Sequence, residues 1–418
     1  MITTYYILLT LVIISELSIL SGLLLCRDSR IKKRYMNYTE NPDDGYQFYL
    51  MIPMFDESSV AEKVYDFFYQ IAAPNAKCVF ITTEKETKIQ GSCKTREVLE
   101  SLMREKHCEN VFICHYPKTT GNKVEQLNYF LHAHRAELDK PNVFVIDYDC
   151  DSRPDRDVIR DLRSILNSTP NANIMQQSSR FWSVNRDSAL LNVEAIFQTR
   201  WAFGYERFAQ YISTFEPLNR LLVPFYYCVG HGLCIRASFL YHIGLFPSPL
   251  EDVPMGMMMT LLQEPIYPCV TKDIGEVVPS VKALLRQAGH WVRSPLQTFH
   301  VLKKAKQLTH ISIYRQTVYL LRMALDIISW IQYLLLLLLS LSLLWRSVWY
   351  VLAYVIFLYL ISFLSGLLTN KLYSGEKTCM DLHTFILLPV RHIIRGFSVF
   401  SCLYQHCFGW FYDKRKNK

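Results

Sequence analysis

The chain has 418 residues and no C-x-x-C pair among its 12 cysteines. That absence removes the usual zinc spacings. The nearest neighbours, Cys108/Cys114, Cys228/Cys234 and Cys402/Cys407, form no disulfide framework. Scattered cysteines of this kind fit a reducing compartment, where the thiol serves as a small apolar side chain. Only 15 Gly and 17 Pro occur, and with 12 Cys over this length they argue against a collagen-like chain or a secreted disulfide scaffold. Disorder is excluded by the opposite excess, 50% hydrophobic and 14% aromatic residues. The formal charge is +8, but no nucleic-acid signature accompanies it. The basic residues gather beside apolar segments, so lipid headgroups and a nucleotide are the expected anionic partners, not nucleic acid.

Charge itself is missing from long stretches. Met1–Cys26 carries one charged side chain, Glu16, and Ile327–Trp345 and Ser347–Thr369 carry no Asp, Glu, Lys or Arg. Each is long enough to cross a hydrocarbon layer of about 30 Å. The first has no basic leader and no small-residue cleavage site, and reads as a retained anchor. The other two flank Arg346 and read as a hairpin with interfacial tryptophans, Trp345 and Trp349. The basic run Arg27–Arg34 follows the anchor, while Met1–Leu25 has neither Lys nor Arg. The positive-inside rule then puts the N-terminus outside and the central region in the cytoplasm, at the cell membrane. The loop Asn370–Asp381 and the tail Asp413–Lys418 are expected on the cytoplasmic side. Pro295–Leu325, with Lys303, Lys304, Lys306, Arg315 and Arg322, is expected to lie along the same surface. Thr384–Trp410 is apolar but contains Arg391, His392, Arg395 and His406. It reads as an interfacial helix whose arginines reach headgroups, or as a fourth span.

The mean hydropathy of +0.09 is therefore an average over membrane segments and a soluble domain at 46–295. There, Tyr46–Pro53, Cys78–Thr83, Val111–Tyr116 and Val143–Asp147 are short, β-branched and aromatic, and read as buried parallel strands. Helical patterns separate them, among them Ser58–Gln70 and Gly121–Leu138. This alternation predicts an α/β fold with a mostly parallel sheet covered on both faces. Ligands of such sheets bind at the carboxyl ends of the strands.

Chemistry-bearing residues fall at those ends. Asp56 and Glu57 follow the first strand, where they either meet a base or ribose or cap the next helix. Asp147, Asp149 and Asp151 alternate from the end of the fourth, where close like charges call for a counter-ion or form a solvated acidic loop capping the helix near Pro154. Gly121 and Lys123 open a helix and offer an anion site, or an ordinary helix start. Glu251 and Asp252 are adjacent acids in an apolar stretch, suited to a base of raised pKa or to a cap. Arg286, Gln287, His290, Trp291 and Arg293 cluster just before the membrane region. Gly230–Arg236 reads as an acceptor-lining turn or a plain turn before a strand.

In that order, the motifs resemble those of inverting, membrane-bound family 2 glycosyltransferases, the group containing cellulose and hyaluronan synthases. IPMFDE (Ile52–Glu57) is similar to the family's opening strand, with Asp56 in place of Asn. GNKVEQLN (Gly121–Asn128) resembles its G-K-x-x-A-L-N segment. DCDSRP (Asp149–Pro154) resembles its D-x-D motif, LED (Leu250–Asp252) its acidic base motif, and QAGHW (Gln287–Trp291) its Q-x-x-R-W. His290 stands where the family has Arg, which weakens the case for processive polymer synthesis.

The resemblance implies a GT-A-type, Rossmann-like nucleotide-sugar domain. Asp56, Glu57, Lys123 and Asp149 would contact the UDP- or GDP-linked donor. Asp149 and Asp151 would hold Mg²⁺ or Mn²⁺, and Asp252 would be the base. Glu251, Arg286, Gln287, His290, Trp291 and Arg293 would serve the diphosphate and acceptor. The acceptor is a polysaccharide, or a lipid or polyprenyl phosphate carrier receiving one sugar. The reading from another class is an inactive membrane-tethered scaffold; a transporter is disfavoured by the near absence of intramembrane acids.

Overall fold

The computed structural model describes the chain except residues 36–44, 73–75, 90–93, 107, 184–187, 374–383, 385, 401 and 403–418. The basic tail, His406, Trp410 and most of the loop Asn370–Asp381 lie outside the described residues.

The sheet grows from the strands legible in the sequence: β1 (Gln47–Pro53), β2 (Ala76–Thr83), β3 (Val111–Tyr116) and β4 (Val143–Asp147). Helices α1 (Ala61–Ala72), α2 (Thr95–Lys106) and α3 (Lys123–Ala133) connect them. Three further strands, β5 (Ile174–Ser183), β6 (Leu233–Arg236) and β7 (Ile266–Val277), complete a seven-stranded sheet of order β3-β2-β1-β4-β6-β5-β7. Pairing is parallel except where β6 runs antiparallel to both β4 and β5. The fold is thus the expected α/β class with a mostly parallel sheet.

Strand alternation explains how the sheet is covered. Along β1, Tyr49 and Met51 face Leu127 and Phe130 of α3. Phe48, Leu50 and Ile52 face the other side, with Val64 and Phe68 of α1. Both sets are almost fully buried. Each such side chain contributes about 1.5–3 kcal/mol relative to exposure.

Among the described residues, three helices are long and apolar enough to cross a membrane: Ile2–Leu25, Ile313–Leu343 and Trp349–Tyr373. The stretch expected along the surface and the first arm of the hairpin therefore share one unbroken helix from Ile313, preceded by a shorter helix, Thr298–Leu308. Trp345 and Trp349 stand exposed at the hairpin turn.

Polar contacts knit these helices to the sheet domain. A helix over Ala189–Trp201 follows β5, passes through a π-helical turn at Ala202–Glu206 and continues as Arg207–Ser213. Glu16 of Ile2–Leu25 is buried, pairs with Arg200, and accepts hydrogen bonds from the Tyr333 hydroxyl and, at 2.8 Å, the Ser362 hydroxyl. Glu194 pairs with Arg391 at 2.7 Å. Arg391 lies in a helix over 386–400 and is buried, so its charge is directed inward and not to headgroups. Gly22 meets the π-helical turn so closely that an added Cβ would lie 1.7 Å from the Gly204 carbonyl oxygen.

Candidate active site

Asp147 ends β4 fully buried, and the chain then turns through Asp149 and Asp151. Lys123, the first residue of α3, reaches this acidic turn. Its Nζ donates to Asp149 Oδ1 at 2.7 Å and to the Gly230 carbonyl. It also lies 3.0 Å from Asp147 Oδ2 and 3.3 Å from Glu251 Oε1. The three carboxylates, acting against burial, raise the ammonium's pKa well above the ordinary lysine value. Lys123 is thus a charge hub for the acids. The α3 N-terminus is closed by its own capping box: Asn122 accepts from the Val124 and Glu125 amides, and Glu125 accepts from the Asn122 amide at 2.8 Å. Those amides are therefore engaged by the capping side chains.

A Cβ at position 230 would lie 2.6 Å from Glu251 Oε1, so a larger residue there would displace the tip of that side chain. The neighbouring His231 is held from two sides. Gln176 of β5 accepts from the Val229 amide and donates to the His231 carbonyl, both at 3.0 Å. The ring Nδ1 sits 2.6 Å from Oδ2 of Asp273, a fully buried residue of β7. Burial opposes charge on the ring, yet the Asp273 hydrogen bond and charge push His231 up to about 9.

Asp252 is the N-cap of a helix over Val253–Leu262, accepting from the Val253 amide at 2.6 Å. The cap reading of this residue is thus realised, and the same residue also lines a cavity. Burial first, then the Glu251 charge, push its carboxyl up to about 7. Burial and then Asp149 push Asp151 up to about 6. Asp149 goes the other way: Lys123 and then His231 overcome burial and hold it below the usual carboxylate range.

Asp149, Asp151, His231, Glu251 and Asp252 line one cavity of about 400 Å³, while Lys123 and Asp147 lie outside its lining. Of the residues expected from the sequence, it takes in Asp149, Asp151, Glu251, Asp252, Gln287 and Trp291. Gln287 and Trp291 lie four apart on the helix Val281–Trp291 and so share a face. Gln287 Oε1 is buried with no hydrogen-bond partner among the described residues, leaving an acceptor for a substrate hydroxyl. Arg286 and Arg293 are exposed and lie outside the lining. The His290 side chain lies outside the described residues. Asp56 and Glu57 are also outside the lining. The helix after β1 begins only at Ala61, so Asp56 does not cap it; its backbone is left-handed (φ 60°), and its amide donates to Glu86 at 2.9 Å.

Sequence reasoning missed Glu206, which ends the π-helical turn and faces the cavity. Burial pushes its carboxyl up to about 7. A lone acid in AFGYERF gave no signal, because nothing in that run marks a π turn. The cavity also continues past the sheet. Ser15 and Ile19 of the first helix, Asp326 and Trp330 of Ile313–Leu343, and Arg395 all line it.

No three His, Cys, Asp or Glu side chains among the described residues form a complete metal cage. Asp149 and Asp151 do suit a hard divalent ion that takes its remaining oxygens from a diphosphate and water. Two carboxylates on one turn gain from a shared cation, which offsets their mutual repulsion.

Comparison with known proteins gives a family. No curated protein matches the chain. Among solved structures, residues 1–349 of S. aureus TarS share 13% identity at a TM-score of 0.34, covering 63% of this chain and 70% of that one. TarS with UDP-GlcNAc gives 12% identity, a TM-score of 0.35, and 63% and 71% coverage. A mycobacterial protein gives 12% identity, 0.35, and 64% and 77%. The family described as "Glycosyl transferase family group 2" matches residues 144–368, a stretch that includes Asp149, Asp151, Asp252 and Trp291. With more than half its length matched, the chain belongs to glycosyl transferase family group 2.

Proposed function

We propose that this cavity moves a sugar from a UDP- or GDP-linked donor to an acceptor hydroxyl, with inversion at the anomeric carbon. One observation carries the reading: the acids at the end of β4 and the half-buried Asp252 share a single cavity with Gln287 and Trp291. Family membership supports the same chemistry. The order of the motifs supports a likeness to the cellulose and hyaluronan synthase group. Three apolar helices and the basic run Arg27–Arg34 support a membrane protein whose cavity faces the cytoplasm.

Asp149 and Asp151 would hold Mg²⁺ or Mn²⁺, which when bound supplies positive charge to the diphosphate oxygens. Asp56 and Glu57, beyond β1, face the nucleotide. Asp252 takes the proton of the acceptor hydroxyl. That oxygen bonds to the anomeric carbon from the face opposite the diphosphate, whose oxygen leaves with the bonding electrons. His231, fixed by Asp273, adds positive charge beside Asp149. Trp291 stacks on the acceptor sugar. Glycan and membrane-lipid acceptors both fit this scheme; the extension of the cavity between membrane helices favours an acceptor presented at the membrane.

The test is the product's configuration. NMR of the product should show the anomeric centre inverted relative to the donor, and Asp252→Asn should abolish its formation. A retained configuration contradicts the reading.

A further inference from the structure

The membrane end of the cavity has an unusual charge arrangement. Three arginines of the bundle region sit close to it: Arg200, Arg391 and Arg395. Two are neutralised, Arg200 by Glu16 and Arg391 by Glu194. Arg395 has no ion pair among the described residues. Its guanidinium lies over the Trp330 ring, 4.8 Å from the ring centre, within cation–π range. Asp326 and Glu206 share the cavity and lie within reach of the Arg395 charge, but neither forms a contact ion pair with it among the described residues. Asp326 instead accepts from the Tyr227 hydroxyl.

Trp330 also marks the path back to the acids. Its ring centre is 6.4 Å from that of Trp291, on the helix that carries Gln287. The cavity wall thus runs from Asp252 through two indoles to a guanidinium, and ends among helices long enough to cross a membrane.

We infer that the acceptor is an anionic lipid-linked saccharide: its sugar lies along Trp291 and Trp330 with a hydroxyl at Asp252, and its phosphate meets Arg395. This rests on the transferase reading and names its acceptor class. A base at Asp252 calls for a hydroxyl nucleophile, so the phosphate is a handle and not the attacking group. A fork-shaped guanidinium matches phosphate oxygens, and such charge-assisted contacts are about twice as strong as neutral ones. The lipid tail then lies against the membrane helices.

The test uses the full chain in nanodiscs and two acceptors that differ only in their linkage. One is an N-acetylhexosamine joined to a polyprenyl chain through a diphosphate; the other is the same sugar joined to the same chain through a neutral ether. Equilibrium binding of each is measured without donor, and KM and kcat with it. Wild type should bind the anionic acceptor at least about tenfold more tightly. Arg395→Gln should erase that preference by weakening the anionic acceptor alone, and Arg395→Lys should restore part of it. Equal wild-type binding of the two acceptors overturns the proposal, whether or not the variants fold. So does an Arg395→Gln loss that is equal for both, or a preference for a soluble uronic-acid oligosaccharide over the lipid. Because binding is read without donor, a protein that binds the anionic acceptor but transfers nothing would sink the transferase reading and leave the anion site standing.

Discussion

Gly22 and Gly204 cross with no room between them: a Cβ on Gly22 would lie 1.7 Å from the Gly204 carbonyl oxygen. The first helix is therefore seated on the same π-helical turn that presents Glu206 to the cavity. Gly22→Ala is expected to cost about 1–3 kcal/mol or more, because backbone must shift to admit the methyl. Thermal unfolding in detergent checks this against Leu17→Ala, at an exposed site on the same helix. Equal melting temperatures for the two would show that the helices do not cross here.

Glu16 and Arg200 are both buried. Removing one partner leaves an uncompensated charge, with a cost of about 3–5 kcal/mol. Glu16→Gln and Arg200→Met should each destabilise the protein, and the double variant should lose clearly less than their sum. Additive losses in a double-mutant cycle would deny the pair.

In the proposed role Asp252 would serve as base only when ionised, and burial and then the Glu251 charge push its carboxyl up to about 7. Activity should accordingly fall about tenfold per pH unit below neutrality and level off above it. Glu251→Gln removes the like charge and should move this limb to lower pH. Asp252→Asn should lower kcat on the order of 10²–10⁴-fold, with donor affinity little changed. A kcat/KM profile flat from pH 5.5 to 8 would show that Asp252 is not the base.

Chelation should stop turnover, and Mn²⁺ or Mg²⁺ should restore it. Asp149→Asn and Asp151→Asn should each raise the metal concentration needed for half-maximal activity by tenfold or more, a shift of at least about 1.4 kcal/mol. A metal titration of each variant reads this directly. Full activity in chelator would remove the two acids from that role.

Much of this was legible in the sequence where burial is simple. The four parallel strands announced themselves because both their faces are apolar. β5 and β7 did not. In β5, Gln176, Gln177, Ser178 and Ser179 are buried to hold the site, as Gln176 does for the loop at His231, so their polarity hid a strand. The acids Asp149, Asp151 and Asp252 were found because they follow a strand or break an apolar run. His231 was seen only as part of Gly230–Arg236, since its partner Asp273 is remote in sequence. Ala189–Trp201 read as part of the soluble domain; its pairing to Glu16 and Arg391 depends on tertiary contacts that no local pattern carries.

Release of nucleoside diphosphate by the purified protein tests the central claim most directly. The full chain in nanodiscs, given a panel of UDP- and GDP-sugars, a divalent metal and lipid extract, should release diphosphate from at least one donor. That release should depend on the acceptor and be lost in Asp252→Asn. No release from any donor, or release indifferent to Asp252→Asn, would contradict the account.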